Sequence, residues 1–96
     1  MENTINSNNQ FYFKILGLVM RTQRKKVHLT QNELAEKSNI SRATITALEL
    51  GKTNVSISVL LQQCDNISIS LSELFARVES VVNSLKHIEG TIDELI

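Results

Sequence analysis

Thr30-Gln31-Asn32-Glu33-Leu34-Ala35-Glu36-Lys37-Ser38-Asn39-Ile40-Ser41-Arg42-Ala43-Thr44-Ile45-Thr46-Ala47-Leu48-Glu49-Leu50-Gly51-Lys52 is the segment from which the architecture follows. Thr30 followed three residues later by Glu33 is a capping box, in which each side chain satisfies an orphan backbone N–H at a helix start. Leu34 is expected to face inward, and Ala35 is small enough to let a second helix cross closely. Asn39 is the expected turn residue, because asparagine tolerates a left-handed backbone better than other residues with a Cβ. Ser41 then caps a second helix. Ile45 and Leu48, three apart, anchor that helix to the core, and Gly51 ends it in the left-handed conformation. Two short helices meet at a tight turn, and the second carries polar side chains on its free face.

This layout is that of a helix-turn-helix motif. Upstream, a first helix is expected from Phe11 to Lys26, with an apolar stripe at Phe13, Leu16, Met20 and Val27. Its last turn is rich in Arg24, Lys25 and Lys26, which suits the helix C-terminal dipole and also suits contact with phosphate. Downstream, Ser56 caps a fourth helix whose buried face is read as Ile57, Leu60 and Leu61. Ser70 with Glu73 forms another capping box and opens a fifth helix at Leu71. In that last helix Leu74, Val78, Val81, Leu85, Ile88, Ile92 and Leu95 recur at alternating steps of four and three. Such spacing is the a/d seam of a coiled coil. A helix from Leu71 to Leu95 is about 37 Å long at 1.5 Å per residue, more than a domain of this size covers. Leu74 and Val78 pack on the domain, and the distal half needs a partner. Val81, Leu85, Ile88, Ile92 and Leu95 are therefore the expected dimerisation seam.

Ninety-six residues with 42% hydrophobic content make one domain with one modest core. Proline is absent and glycine numbers three, so few residues break helices. The net charge is zero, but it is divided unevenly. Residues 1–53 carry eight cations against four acids, and residues 54–96 carry two against six. The basic half holds the motif, an asymmetry that points to a nucleic-acid partner. No apolar run is long enough to span a bilayer. The polar, asparagine-rich start lacks the basic and apolar regions of a signal peptide. The single cysteine, Cys64, cannot form an internal disulfide. A cytoplasmic setting fits. His28, His87 and Cys64 match no metal-ligand spacing. No phosphate loop, nucleophile elbow or paired carboxylate points to catalysis. The expectation is a protein that is not an enzyme and needs no cofactor or metal.

From Leu29 to Phe75 the chain resembles the lambda/434-repressor (Xre, Cro/C1-type) helix-turn-helix family. The residues that carry the resemblance are Leu29-Thr30-Gln31, Glu33-Leu34-Ala35, Lys37-Ser38, Ile40-Ser41-Arg42, Thr44-Ile45, Leu48-Glu49, Gly51-Lys52, Ser56, Leu60-Leu61 and Ser70 to Phe75. It implies an all-α, compact five-helix domain whose third helix enters the major groove of double-stranded DNA. It implies that Gln31 contacts the sugar-phosphate backbone. Arg42, Ala43, Thr46 and Ala47 fall where the family reads base edges. Ser41, Thr44 and Lys52 fall where it touches phosphates or supports the readers. Arg24 and Glu49 match a pair of positions that form an interhelical ion pair. Three positions depart from the family pattern: Asn39 and Ser68 stand where glycine is usual, and Val55 where proline is usual.

Beside the resemblance, the residues allow plainer roles. Arg42 can be a solubilising charge, although arginine also pairs in bidentate fashion with guanine. Ala43 and Ala47 can be ordinary helix formers, or can contact a thymine methyl. Thr44 and Thr46 cost helix propensity, which is easier to understand if their hydroxyls have partners on DNA or on the carbonyl four residues back. The expected organisation is a flexible tail at 1–10, a DNA-binding domain at 11–76 and a helical dimerisation extension at 77–96. The expected function is that of a sequence-specific transcriptional regulator, a repressor or controller protein acting as a homodimer. An antitoxin, whose C-terminal helix binds a toxin partner, is the alternative. A pure interaction module with the same fold is the third.

Overall fold

A computed structural model of the chain describes residues 7–95 and, within them, the side chains of residues 10–90, 94 and 95. Five helices follow in order: α1 Ser7–Lys26, α2 Gln31–Ser38, α3 Arg42–Glu49, α4 Ile57–Asn66 and α5 Leu71–Leu95. Among the described residues there is no strand. The first helix starts at Ser7 rather than at Phe11, so Ser7–Gln10 extend α1, and the rest of the expected tail lies outside the described residues.

Each helix start uses the residue that local chemistry assigns to it. The Thr30–Glu33 capping box is complete. Its hydrogen bonds, the Thr30 backbone N–H first, hold the Glu33 carboxyl below its usual pKa. Ser41 and Ser56 accept from the backbone N–H of Thr44 and Val59. Ser70 likewise accepts from Glu73 N–H, but the Glu73 carboxylate turns away to Arg77 at 2.6 Å, so only half of the expected box forms.

The four inter-helix turns share one device. Leu29, Ile40, Lys52 and Ile69 donate their backbone N–H to Arg24, Ala35, Ala47 and Cys64, five residues back. In each case the residue before the donor is left-handed: His28, Asn39, Gly51 and Ser68. This is the Schellman geometry, which satisfies orphan carbonyls at a helix end. Ser68 adopts the turn that glycine would make, with φ 60°, so its departure from the family pattern leaves the backbone shape intact.

The core is built around α1, which packs against α3 on one side and α5 on the other. Ile15, Leu16, Val19 and Met20 are buried, while Phe13 and Val27 are only half-buried. The buried sector of α1 is thus wider than the expected single stripe, because two helices cover it. Gly17 is where α1 touches α3: a Cβ there would collide with the backbone carbonyls of Leu48 and Glu49. Polar ties complete the frame. Gln23 on α1 donates to the Ile67 carbonyl and accepts from Arg77 on α5. Gln62 and Asn66 on α4 bind Ser38 at the end of α2, both at 2.8 Å.

Two apolar faces differ from expectation. On α4, Leu60 is buried but Ile57 and Leu61 are exposed; the inward positions are Leu60, Gln63, Cys64 and, just past its end, Ile67. The Cys64 thiol is raised above its ordinary pKa, first by burial and then by Asp65, which keeps it neutral. On α5, Val82 joins Leu74 and Val78 in the core, so the domain reaches past residue 76 into the helix expected to be an extension.

Gln63 is fully buried, and neither its Nε2 nor its Oε1 has a hydrogen-bond partner. It lies among Met20, Leu34, Ile45, Leu48, Glu49 and Ile67. Burying an unpartnered amide costs about 1–3 kcal/mol in protein mutational data. Gln63→Met, which keeps the length and removes the polar atoms, is expected to raise stability by about that amount in urea melts. An unchanged or lower midpoint would mean that the core satisfies the amide.

Candidate nucleic-acid interface

The interface is assembled on a buried ion pair. The Arg24 and Glu49 side chains are only 7% and 5% exposed, with Nε to Oε2 at 2.7 Å. The Arg24 Nη2 donates to the second carboxylate oxygen at 3.1 Å, and Nη1 donates to the Leu29 carbonyl at 2.6 Å. This fork geometry locks α1 to α3 and closes the α1–α2 turn. A second ion pair, Arg77–Glu73, lies on α5 and is more exposed.

Glu49 also sets the orientation of Gln31. An ionised carboxylate can only accept, so the Gln31 Nε2 must face it, at 3.0 Å from Oε1. That leaves the Gln31 Oε1 toward α3, where it accepts from the Thr46 hydroxyl at 3.2 Å. The Arg42 Nε approaches the same oxygen at 3.5 Å, a long contact that restrains the guanidinium without consuming it. Gln31, Arg42 and Thr46 are therefore brought together at the seam of α2 and α3.

The remaining α3 side chains fall in three groups. Arg42, Ala43 and Thr44 are exposed on its first turn, and Thr46 and Ala47 are half-buried. Ile45, Leu48 and Glu49 face inward. The hydroxyl of Thr44 lies 2.8 Å from that of Ser41, so Thr44 reinforces the cap that starts the helix. Neither Thr44 nor Thr46 bonds the carbonyl four residues back; their partners are Ser41 and Gln31. Lys52 is exposed, and its backbone is fixed to the end of α3 by the bond to Ala47 O at 2.9 Å. Leu50, exposed at the end of α3, and Arg21 on α1 border the same surface beside Gln31 and Thr46. Helix periodicity did not flag either, because both positions matter only once α1 is laid against α3.

The expected seam on α5 divides. Val81 is half-buried, while Leu85, Ile88 and Leu95 are 39%, 52% and 82% exposed. The side chain of Ile92 lies outside the described residues. Val81 lines an apolar groove between α1 and α5 together with Leu18, Val19, Thr22, Arg77 and Ser80. Among the described residues no group of histidine, cysteine and carboxylate side chains is arranged to hold a metal. None of the described helices is long and apolar enough to cross a membrane.

No curated protein matches the chain. Among solved structures, the clp gene regulator ClgR from C. glutamicum shares 28% identity at a TM-score of 0.69, covering 72% of this chain and 88% of that one. The restriction-modification controller protein C.AhdI from Aeromonas hydrophila shares 29% identity at a TM-score of 0.62, covering 65% and 94%. The wild-type controller protein C.Esp1396I shares 25% identity at a TM-score of 0.68, covering 75% and 92%. The helix-turn-helix family profile matches residues 20–74, from the middle of α1 into the first turn of α5. That match takes in more than half of the sequence and both helices of the motif, and the chain belongs to the helix-turn-helix family of the Cro/C1 type.

Proposed function

We propose that this protein is a sequence-specific DNA-binding transcriptional regulator that docks α3 in the major groove as a homodimer. The observation that carries the reading is the set of exposed Arg42, Ala43 and Thr44 on an α3 whose inner face and ends are fully tied down. A recognition helix needs that combination, because base readout requires free donors on a rigid support. The relatives support regulation as the role: they are a clp gene regulator and two restriction-modification controller proteins. Gln31 offers a second Nε2 hydrogen to a phosphate at the start of α2, and Ser41 and Lys52 flank α3 at its two ends. Those contacts fix register, while Arg42, Ala43, Thr46 and Ala47 carry base preference. The exposed Leu85 and Ile88 support pairing with a second copy, which supplies the second recognition helix for a two-fold site. The same surface would serve an antitoxin, but the relatives named above give no support to a toxin partner.

Arg42→Ala tests the assignment of the readers. Specific binding is expected to weaken by about 1–3 kcal/mol, with relaxed preference at one base pair per half-site. Gln31→Ala and Lys52→Ala are expected to weaken binding to all sequences more evenly. Fluorescence-anisotropy titration on the best selected duplex checks this, and an Arg42→Ala affinity equal to wild type would refute the reader role.

A further inference from the structure

We propose that α1 is a second DNA-contacting element, in which Lys14 and Arg21, continued by Lys52, form a rail for the phosphates of the strand running beside the recognition helix. The inference rests on the DNA-binding reading above and extends it to a helix outside the two-helix motif.

Three observations carry it. Helix α1 contains Lys14, Arg21, Arg24, Lys25 and Lys26 and no acidic residue. Of these, Arg24 is consumed by Glu49, whereas Lys14 and Arg21 are exposed, and among the described residues no carboxylate pairs with either. The placement is set by two glycines. Gly17 brings the α1 backbone against the carbonyls of Leu48 and Glu49, and Gly51 lies against the backbone of Lys14 at 2.6 Å from a would-be Cβ. With φ +70° at Gly51 as well, a side chain is excluded at this crossing on two counts. Lys14 is thereby held beside Lys52, in a groove they line with Gln10 and Gly51.

A second groove holds Arg21 with Arg24, Gln31, Thr46, Glu49 and Leu50, and so includes residues of the seam already assigned to DNA. Lys14 and Arg21 are seven residues apart, two turns along one face of α1, a rise of about 10 Å. Phosphates on one strand advance about 3.4 Å along the duplex axis, so the two cations match about three phosphate steps. Glu49, which shares the groove of Arg21, is paired with Arg24 within the core, and Lys14 and Arg21 face solvent. Such contacts add affinity and register without base preference.

The test is the salt dependence of binding by the full chain, read by anisotropy on two duplexes, one of random sequence and one recovered by selection. Lys14→Ala and Arg21→Ala are each expected to lower the slope of log K against log salt by about 0.9, and the double variant by about twice that. The loss of affinity is expected to be the same fold on both duplexes, with base preference unchanged. Lys14→Arg and Arg21→Lys keep the charge and are expected to keep the slope, which separates a phosphate contact from a change in folding. A double variant with the wild-type slope, or a loss confined to the selected duplex, would overturn the rail while leaving the DNA-binding reading in place. A wild-type chain that binds neither duplex would overturn both.

Discussion

Glu49→Ala is expected to cost about 3–5 kcal/mol of folding stability, the range for breaking a buried ion pair by removing one partner. The reason is what remains behind. Arg24 is 7% exposed, and three of its donors are aimed at Glu49 and at the Leu29 carbonyl. Without the carboxylate, a buried guanidinium has lost its counter-charge and most of its hydrogen bonds. Domains of this kind are stable by about 5–15 kcal/mol in total, so the variant should be close to unfolding. Arg24→Ala leaves the mirror problem, a buried carboxylate with only Gln31 as donor. Arg77 and Glu73 provide the internal control. They sit one turn apart at 37% and 50% side-chain exposure, and removing either should cost about 0–1 kcal/mol. Urea melts of the two single variants and the double variant measure the Arg24–Glu49 coupling. Single-variant losses that add within about 0.3–0.5 kcal/mol would mean that the pair does not interact.

The same substitution has a reach beyond stability. Once the carboxylate is gone, nothing forces the Gln31 amide to present its oxygen to Thr46 and Arg42. Glu49→Gln, which keeps the shape, should therefore disturb DNA affinity more than its effect on folding accounts for.

The second large effect concerns α5. Changing Leu85 and Ile88 to aspartate in the full chain is expected to convert a dimer to a monomer. Binding to a two-fold operator should then fall by about 10²–10⁴-fold, because the second half-site is no longer held at high effective concentration. The helix-turn-helix core should stay folded, since both side chains are exposed. A truncation must respect Val82, which is buried in the core cluster; a cut after Ser80 would remove it, whereas a cut after Asn83 preserves it. Sedimentation equilibrium decides the matter. A wild-type chain that remains monomeric at tens of micromolar would move the exposed stripe to a different partner.

What could be read in the sequence was what is decided locally. Thr30, Ser41 and Ser56 cap because a hydroxyl one residue before a helix has an unpaired N–H within reach. Asn39 and Gly51 turn because few residues tolerate positive φ. His28 turns in the same way, but no local rule marks a histidine for that conformation. What needed the structure is what depends on neighbours. Ile57 and Leu61 look like the buried face of α4 until α2 and α5 cover a different sector, the one containing Gln63 and Cys64. Val82 lies off the heptad seam and is buried because α1 is on its side of α5. The Arg24–Glu49 pairing came from resemblance, not from spacing, and its link through Gln31 to Thr46 is visible only in three dimensions. Arg21 and Lys14 entered the sequence reading only as part of the charge balance, because their placement beside Lys52 depends on the close crossing at Gly17 and Gly51.

If α3 reads DNA sequence from the major groove, the chain must select a defined site from random DNA. The measurement is selection of bound duplexes from a random pool by the wild-type chain, followed by sequencing. The expected outcome is an enriched site with two-fold symmetry, its half-sites about one helical turn (10–10.5 bp) apart, and one base pair per half-site whose preference disappears with Arg42→Ala. A pool that stays random after repeated rounds, or an enriched site that Arg42→Ala selects unchanged, would contradict it.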